Sequence, residues 1–169
     1  MRWFLVLVFV LGGALAVTAS AASPPAPLKV DAPAIKELVR EQRGQVVLLN
    51  FWATWCPPCL VEFPEIVAIE KTYRDRGLAV ISVSADAPKK IDSDLLPFLE
   101  THPPDFPIYI MQTDDRNEFM RLIDPEWNGD IPATFFIDRE GAVASKQFSA
   151  VSREQMEQAL EVLFEEPEP

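Results

Sequence analysis

Thiol and imidazole groups are scarce in this 169-residue chain, which has two cysteines and one histidine. A structural zinc site takes four ligands, and a catalytic one takes three plus water. Cys56 and Cys59, with His102 distant in sequence, fall short of either set. A disulfide between residues three apart closes a loop too small to remove much unfolded-chain entropy, which argues against a purely stabilising bridge. Basic residues are also few: 15 Lys and Arg stand against 26 Asp and Glu, a net charge of −11. That balance argues against nucleic acid or anionic lipid as partners. It suits solubility or a basic client. No segment repeats.

What the chain does have begins at the N-terminus. Arg2 precedes an apolar run from Phe4 to Val17, then Thr18-Ala19-Ser20-Ala21-Ala22-Ser23. The small residues suit a signal-peptidase site. The run is short of the roughly 20 residues a membrane span needs, yet weakly polar residues could extend it to Ala22. Residues 1–22 are therefore expected to be a cleaved signal peptide or an uncleaved N-terminal membrane anchor. Either sends the rest of the chain to a periplasmic or other extracytoplasmic space. No cysteine lies near the end of the run, so a lipoprotein anchor is not expected. Residues 23–165 are expected to form one domain, large enough for a real core. Its first residues, Ser-Pro-Pro-Ala-Pro at 23–27, read as a stiff linker. The acidic residues 166–169 read as a disordered tail.

Along the domain, apolar positions alternate between helical and strand patterns. A helix is expected over Ala32–Arg43 and ended by Gly44, with a buried strand over Gln45–Trp52. A second helix, kinked near Pro64, is expected over Cys56–Arg74, then a strand over Leu78–Ser84. An extra helix is expected over Lys89–Thr101 and a strand over Pro107–Met111. A short helix covers Asn117–Ile123. Pro132–Asp138 and Ala142–Gln147 read as a hairpin, and Ser152–Phe164 as a closing helix with a Ser152/Gln155 capping box. Strands alternating with helices imply an α/β sandwich.

Val46–Phe51 leads straight into Cys56-Pro57-Pro58-Cys59. A strand that ends in C-x-x-C at a helix start is a redox arrangement. The helix places the two sulfurs within one turn of each other, and its N-terminus favours a thiolate, the species that attacks disulfides. Cys56 is the expected nucleophile, its sulfur exposed at the helix start, and Cys59 the buried resolving thiol. Pro57 and Pro58 remove two amide donors, leaving the Cys59 N–H to reach the Cys56 sulfur.

Trp52-Ala53-Thr54-Trp55-Cys56-Pro57-Pro58-Cys59 resembles the active-site signature of the thioredoxin superfamily. With Glu62-Phe63-Pro64 it resembles the exported TlpA/ResA-like thiol–disulfide oxidoreductases. Ile131-Pro132-Ala133-Thr134-Phe135-Phe136 is similar to the family's second landmark, a strand entered through a cis-proline. The resemblance spans about residues 28–165. It implies a thioredoxin fold: a mixed central sheet flanked by helices, here with a helix–strand insertion before the cis-proline strand. It implies that Glu62 lies beside the cysteines and tunes their protonation. It also implies that Ile131 and Pro132 lie against the disulfide and pair with an extended client, while Trp55, Pro57 and Pro58 border the same surface. Asn50 stands where cytoplasmic thioredoxins have a buried aspartate, so Glu62 becomes the leading proton acceptor. Trp52 is expected in the core, Trp127 either in the core or at the site's rim, and His102 at a helix end.

The resulting expectation is an exported thiol–disulfide oxidoreductase that reduces client disulfides. The resemblance suggests cytochrome c maturation or copper-site assembly as its setting. Its partners would be a client protein with a cysteine pair and a membrane thiol-reductant donor. It would need no cofactor beyond the Cys56–Cys59 disulfide and no metal. The rivals are a disulfide oxidant or isomerase, and a metallochaperone or non-catalytic binding module on the same fold. A peroxidase of the peroxiredoxin group would share the Thr54 hydroxyl, but Phe51 stands where that group has proline.

Overall fold

The computed structural model describes residues 26–165; the expected leader at 1–22 and the tail at 166–169 lie outside them. Six strands form one sheet: β1 (Leu28–Val30), β2 (Val46–Trp52), β3 (Leu78–Ser84), β4 (Ile108–Met111), β5 (Ala133–Ile137) and β6 (Val143–Gln147). Their spatial order is β1-β4-β3-β2-β5-β6. The pairs from β1 to β2 are parallel, and those joining β2 to β5 and β5 to β6 are antiparallel. Five helices accompany them: α1 (Ala32–Glu41), α2 (Pro57–Tyr73), α3 (Leu96–Thr101), α4 (Arg116–Ile123) and α5 (Arg153–Glu165). The sheet is mixed, flanked by helices, and has the thioredoxin fold.

Strand β2 is central, and every residue in it is buried. A strand covered on both faces reads as a continuous apolar run. Its alternation still sorts residues between two layers. Leu48 and Trp52 face α2, α3 and α5 together with Cys59, Phe63, Leu99, Phe136 and Leu160. Val47, Leu49 and Phe51 face α1 and α4 together with Phe119, Trp127 and Phe135. Trp127 therefore belongs to the core and not to the site's rim. Its ring lies 4.5 Å from that of Phe51, and its indole N–H donates to the Asp130 carbonyl at 2.8 Å.

One level of the α2-facing layer is polar. Ser82 on β3, Asn50 on β2 and Thr134 on β5 sit side by side in register. All three are buried.

Caps set the element ends. The Asp31 carboxylate accepts from the Ala34 N–H at 2.9 Å and starts α1. Ser152 and Gln155 form the expected capping box on α5. Gly77, with φ of +91°, ends the 3₁₀ turn after α2 and releases the chain into β3. Helix α2 runs on through Pro64.

The insertion is present: β4 comes to lie between β1 and β3. Its helical part is not one even helix over Lys89–Thr101. A 3₁₀ turn at Pro88–Lys90 and a π turn at Ile91–Leu95 precede α3. Pro97 has no amide hydrogen and crowds the carbonyl four residues back, which disfavours regular α pitch before it and is compatible with the wider π turn seen there. The three-residue β1 was not foreseen. It is too short to show a period, and it exists because Leu28–Val30 pair with Tyr109–Met111.

Candidate active site

The site sits where β2 ends. After Trp52 the chain turns through Ala53–Trp55, and Cys56 becomes the N-cap of α2. Cys56 and Cys59 are joined, with an S–S distance of 2.02 Å and Cα atoms 5.3 Å apart. The Cys59 N–H donates to Cys56 Sγ at 3.3 Å. With prolines at 57 and 58, this is the first-turn amide that reaches the sulfur.

The sequence pattern predicts an exposed Cys56. In the oxidised pair it is 5 % exposed and Cys59 1 %, so the order holds while the degree does not. The Ile131–Pro132 bond is cis, and it brings the Ile131 carbonyl oxygen to 3.6 Å from Cys56 Sγ. That segment covers Cys56 on one side. Trp55 is 59 % exposed, and Pro57, Pro58 and Val61 are exposed near it. The resulting surface beside the disulfide is apolar and open.

Beneath this surface lies a carboxyl group. Glu62 is 3 % exposed, one turn beyond Cys59 on α2. Its Oε1 accepts from the Thr134 hydroxyl at 3.1 Å and from the Val151 N–H at 3.4 Å. Its Oε2 has no hydrogen-bond partner among the described residues. Burial raises the Glu62 pKa to about 7, and the bonds from Thr134 and Val151 pull against that rise. Asn50 Nδ2 donates to Thr134 Oγ1 at 2.9 Å, so Asn50 reaches Glu62 through the threonine. Trp52 is buried, and its indole N–H donates to Ser82 Oγ at 2.9 Å.

Two residues were missed by sequence reasoning. Thr134 lies within the quoted cis-proline landmark, but its link to Asn50 depends on the β2–β5 register. Asp86, just past β3, is buried and holds the loop before Cys56. Its carboxylate accepts from the Thr54 N–H at 3.0 Å, the Thr54 hydroxyl at 2.6 Å and the Ser84 hydroxyl at 2.7 Å. The only available signal was its place at the carboxyl end of a parallel strand, beside the end of β2. His102 is remote in role as expected. It caps α3, with Nδ1 3.2 Å from the Phe98 carbonyl and its ring stacked on Phe98 at 4.5 Å. Among the described residues no group of three or more His, Cys, Asp or Glu is placed to hold a metal ion.

A strand-to-helix turn with a C-x-x-C disulfide, the Ile131 carbonyl against the Cys56 sulfur and a buried carboxyl one turn beyond Cys59 is equipped for thiol–disulfide exchange. Known proteins agree. Residues 28–146 match the AhpC/TSA family. Thioredoxin-like protein YneN of Bacillus subtilis is 32 % identical over 128 residues, covering 75 % of this chain and 70 % of that protein. Thiol-disulfide oxidoreductase ResA of Bacillus thuringiensis is 29 % identical over 119 residues, covering 70 % of this chain. The chain spans just under two thirds, 64 %, of that ResA protein. A crystal structure from Chlorobium tepidum, described as that of a thiol:disulfide interchange protein DsbE, superposes with a TM-score of 0.62 at 28 % identity. That match covers 75 % of this chain and 84 % of the other. The chain belongs to the AhpC/TSA family, as a thiol–disulfide oxidoreductase with a thioredoxin fold.

Proposed function

We propose that this protein works outside the cytoplasm as a reductant of client disulfides. The Cys56 thiolate attacks a client S–S bond, forming a mixed disulfide and expelling one client thiolate. Glu62, as carboxylate, takes the proton from Cys59. The Cys59 thiolate then attacks Cys56 Sγ, closing the disulfide seen here and releasing the second client sulfur as a thiolate, which takes its proton from water. Trp55, Pro57, Pro58, Ile131 and Pro132 form the client surface. An extended client strand would lie along the Ile131 segment and gain affinity from main-chain contacts. A membrane thiol donor would return the pair to the dithiol form, and no further cofactor enters the cycle.

The observation that carries the direction is the donor set at Cys56 Sγ. A strong oxidant owes its potential to a stabilised thiolate. Here a single first-turn amide, that of Cys59, reaches the sulfur. Glu62 adds negative charge nearby once ionised, which disfavours a thiolate further. The names of the relatives support a client with a disulfide or a cysteine pair; a cytochrome c or copper-site client is the finer proposal, and it rests on the resemblance of the C-x-x-C motif. The apolar run from Phe4 to Val17 and the small residues that follow it support export. A peroxidase reading finds less support, because the Thr54 hydroxyl is engaged with Asp86 at 2.6 Å.

The test is the reduction potential of the pair together with the Cys56 pKa. We expect a potential below about −220 mV and a pKa above about 6, with catalysis of insulin reduction by dithiothreitol. A potential near −120 mV with a Cys56 pKa near 4 would make the protein an oxidant.

A further inference from the structure

Glu62 has two oxygens in unlike surroundings, and the difference traces back to β2. Thr134 has one hydroxyl hydrogen. Its Oγ1 lies 3.1 Å from Glu62 Oε1 and 2.9 Å from Asn50 Nδ2. A carboxylate can only accept, so the threonine hydrogen points to Oε1 and its lone pair must face a donor. Asn50 supplies that donor with its amide NH₂ group. The backbone N–H of Val151, entering from the segment before α5, completes Oε1. Oε2, on the same buried side chain, is left without a partner among the described residues.

We propose that Asn50 and Thr134 are positioning residues that form a one-way donor chain. They fix Glu62 Oε1 as the anchor and leave Oε2 as the oxygen that exchanges a proton with the cysteine pair. This rests on the reading of Glu62 as the proton acceptor for Cys59. In that step the Cys59 S–H bond breaks, an O–H bond forms at Oε2, and the sulfur keeps the electron pair for attack on Cys56 Sγ. When the pair is next reduced, the Cys59 sulfur is expelled as a thiolate and takes the proton back from Oε2, which restores the Cys59 thiol and the Glu62 carboxylate.

The chain also gives Asn50 a chemical reason. An aspartate there would present only acceptors. It would compete for the threonine hydrogen, strip Oε1 of its donor and place a second negative group behind Glu62. The elements around Glu62 add few other titratable groups. Asn50 and Ser82 on the sheet and Thr134 on β5 are neutral, and Val151 offers backbone only. Neither hydrogen bond to Glu62 comes from a charged side chain. Cys56 and Cys59, once reduced, are the titratable partners on its own helix.

The experiment follows the Glu62 carboxyl by ¹³C NMR through a pH titration of the oxidised, full-length protein. Wild type is compared with Thr134→Val, Thr134→Ser and Asn50→Asp. Thr134→Val and Asn50→Asp should each move the midpoint upward by about one pH unit, a roughly tenfold change in proton affinity. Thr134→Ser, which keeps the hydroxyl, should restore it to near the wild-type value. In the reduced enzymes, the pH profile of Cys59 resolution of a trapped mixed disulfide should shift with the Glu62 midpoint. Should the valine variant fail to fold, wild type itself decides. Its Thr134 hydroxyl proton should be slow to exchange and should shift with the Glu62 titration. An unmoved or lowered midpoint in Thr134→Val, or a Thr134 hydroxyl signal indifferent to Glu62, overturns the donor chain. Because these titrations use the oxidised protein, they stand apart from the potential measurement that decides reductant against oxidant.

Discussion

Glu62 is a carboxyl group placed where ionisation is costly, and that cost is visible in stability. Its folded pKa is about 7 against a usual 4.5. The folded state therefore holds a proton that the unfolded chain releases. Stability is greatest below pH 4.5 on this account and falls as pH rises toward 7, by about 3 kcal/mol in all. Glu62→Gln should remove this slope. Urea denaturation at pH 5 and pH 8 should show the variant gaining on wild type at the higher pH, and an equal difference at both values would contradict the burial argument. The cysteines divide by role. Cys59→Ser should accumulate a mixed disulfide with a client peptide, whereas Cys56→Ser should accumulate none, as read by mass spectrometry without reductant. Most of this site was legible beforehand. Cys56, Cys59, Glu62 and the Ile131–Pro132 pair sit in contiguous motifs whose spacing carries their chemistry. Thr134 and Asp86 were not legible as partners, because each acts on a residue far off in sequence, and that meeting depends on strand register.

Among the elements, the loop between β2 and α2 depends on a side chain from the segment just past the neighbouring strand β3. Asp86 takes the Thr54 N–H, the Thr54 hydroxyl and the Ser84 hydroxyl together. Asp86→Ala would strand these donors, and a loss of about 2 kcal/mol is expected. Alkylation of reduced Cys56 should also become less uniform in rate, since the loop that aims it is freed. Asp86→Asn keeps one acceptor oxygen and should lose less on both measures. At the other end of the chain, Ser152→Ala breaks the α5 capping box and should cost about 1 kcal/mol in thermal or urea unfolding. The long elements were readable because burial on both faces writes a run and burial on one face writes a period. The insertion was readable as a helix and a strand, but its pitch was not. Pro97 alters the geometry of the turn before it, a local steric effect that hydrophobic periodicity does not register.

For the molecule as a whole, the net charge of −11 bears on which clients arrive. The apolar surface at Trp55, Pro57 and Pro58 selects little by itself, so long-range attraction decides encounter rates. A cationic disulfide peptide should be reduced faster than an anionic one of equal length at about 20 mM salt, and the gap should close by about 0.5 M. A gap that persists at high salt would point to contacts instead of steering. The polar level formed by Ser82, Asn50 and Thr134 has a consequence of another kind. Strands as apolar as β2 and β5 can mispair, because a slipped ladder still satisfies their backbones. A slip of one residue between these two would turn Thr134 among Phe51 and Trp127 and set Phe135 against the Asn50 amide. Two buried polar groups would lose their partners, each at about 1–3 kcal/mol, and nothing apolar would be gained. The hydrogen bonds that hold Glu62 thus also discriminate against the wrong sheet, so that a chain assembled out of step is marked by instability before it could ever meet a client.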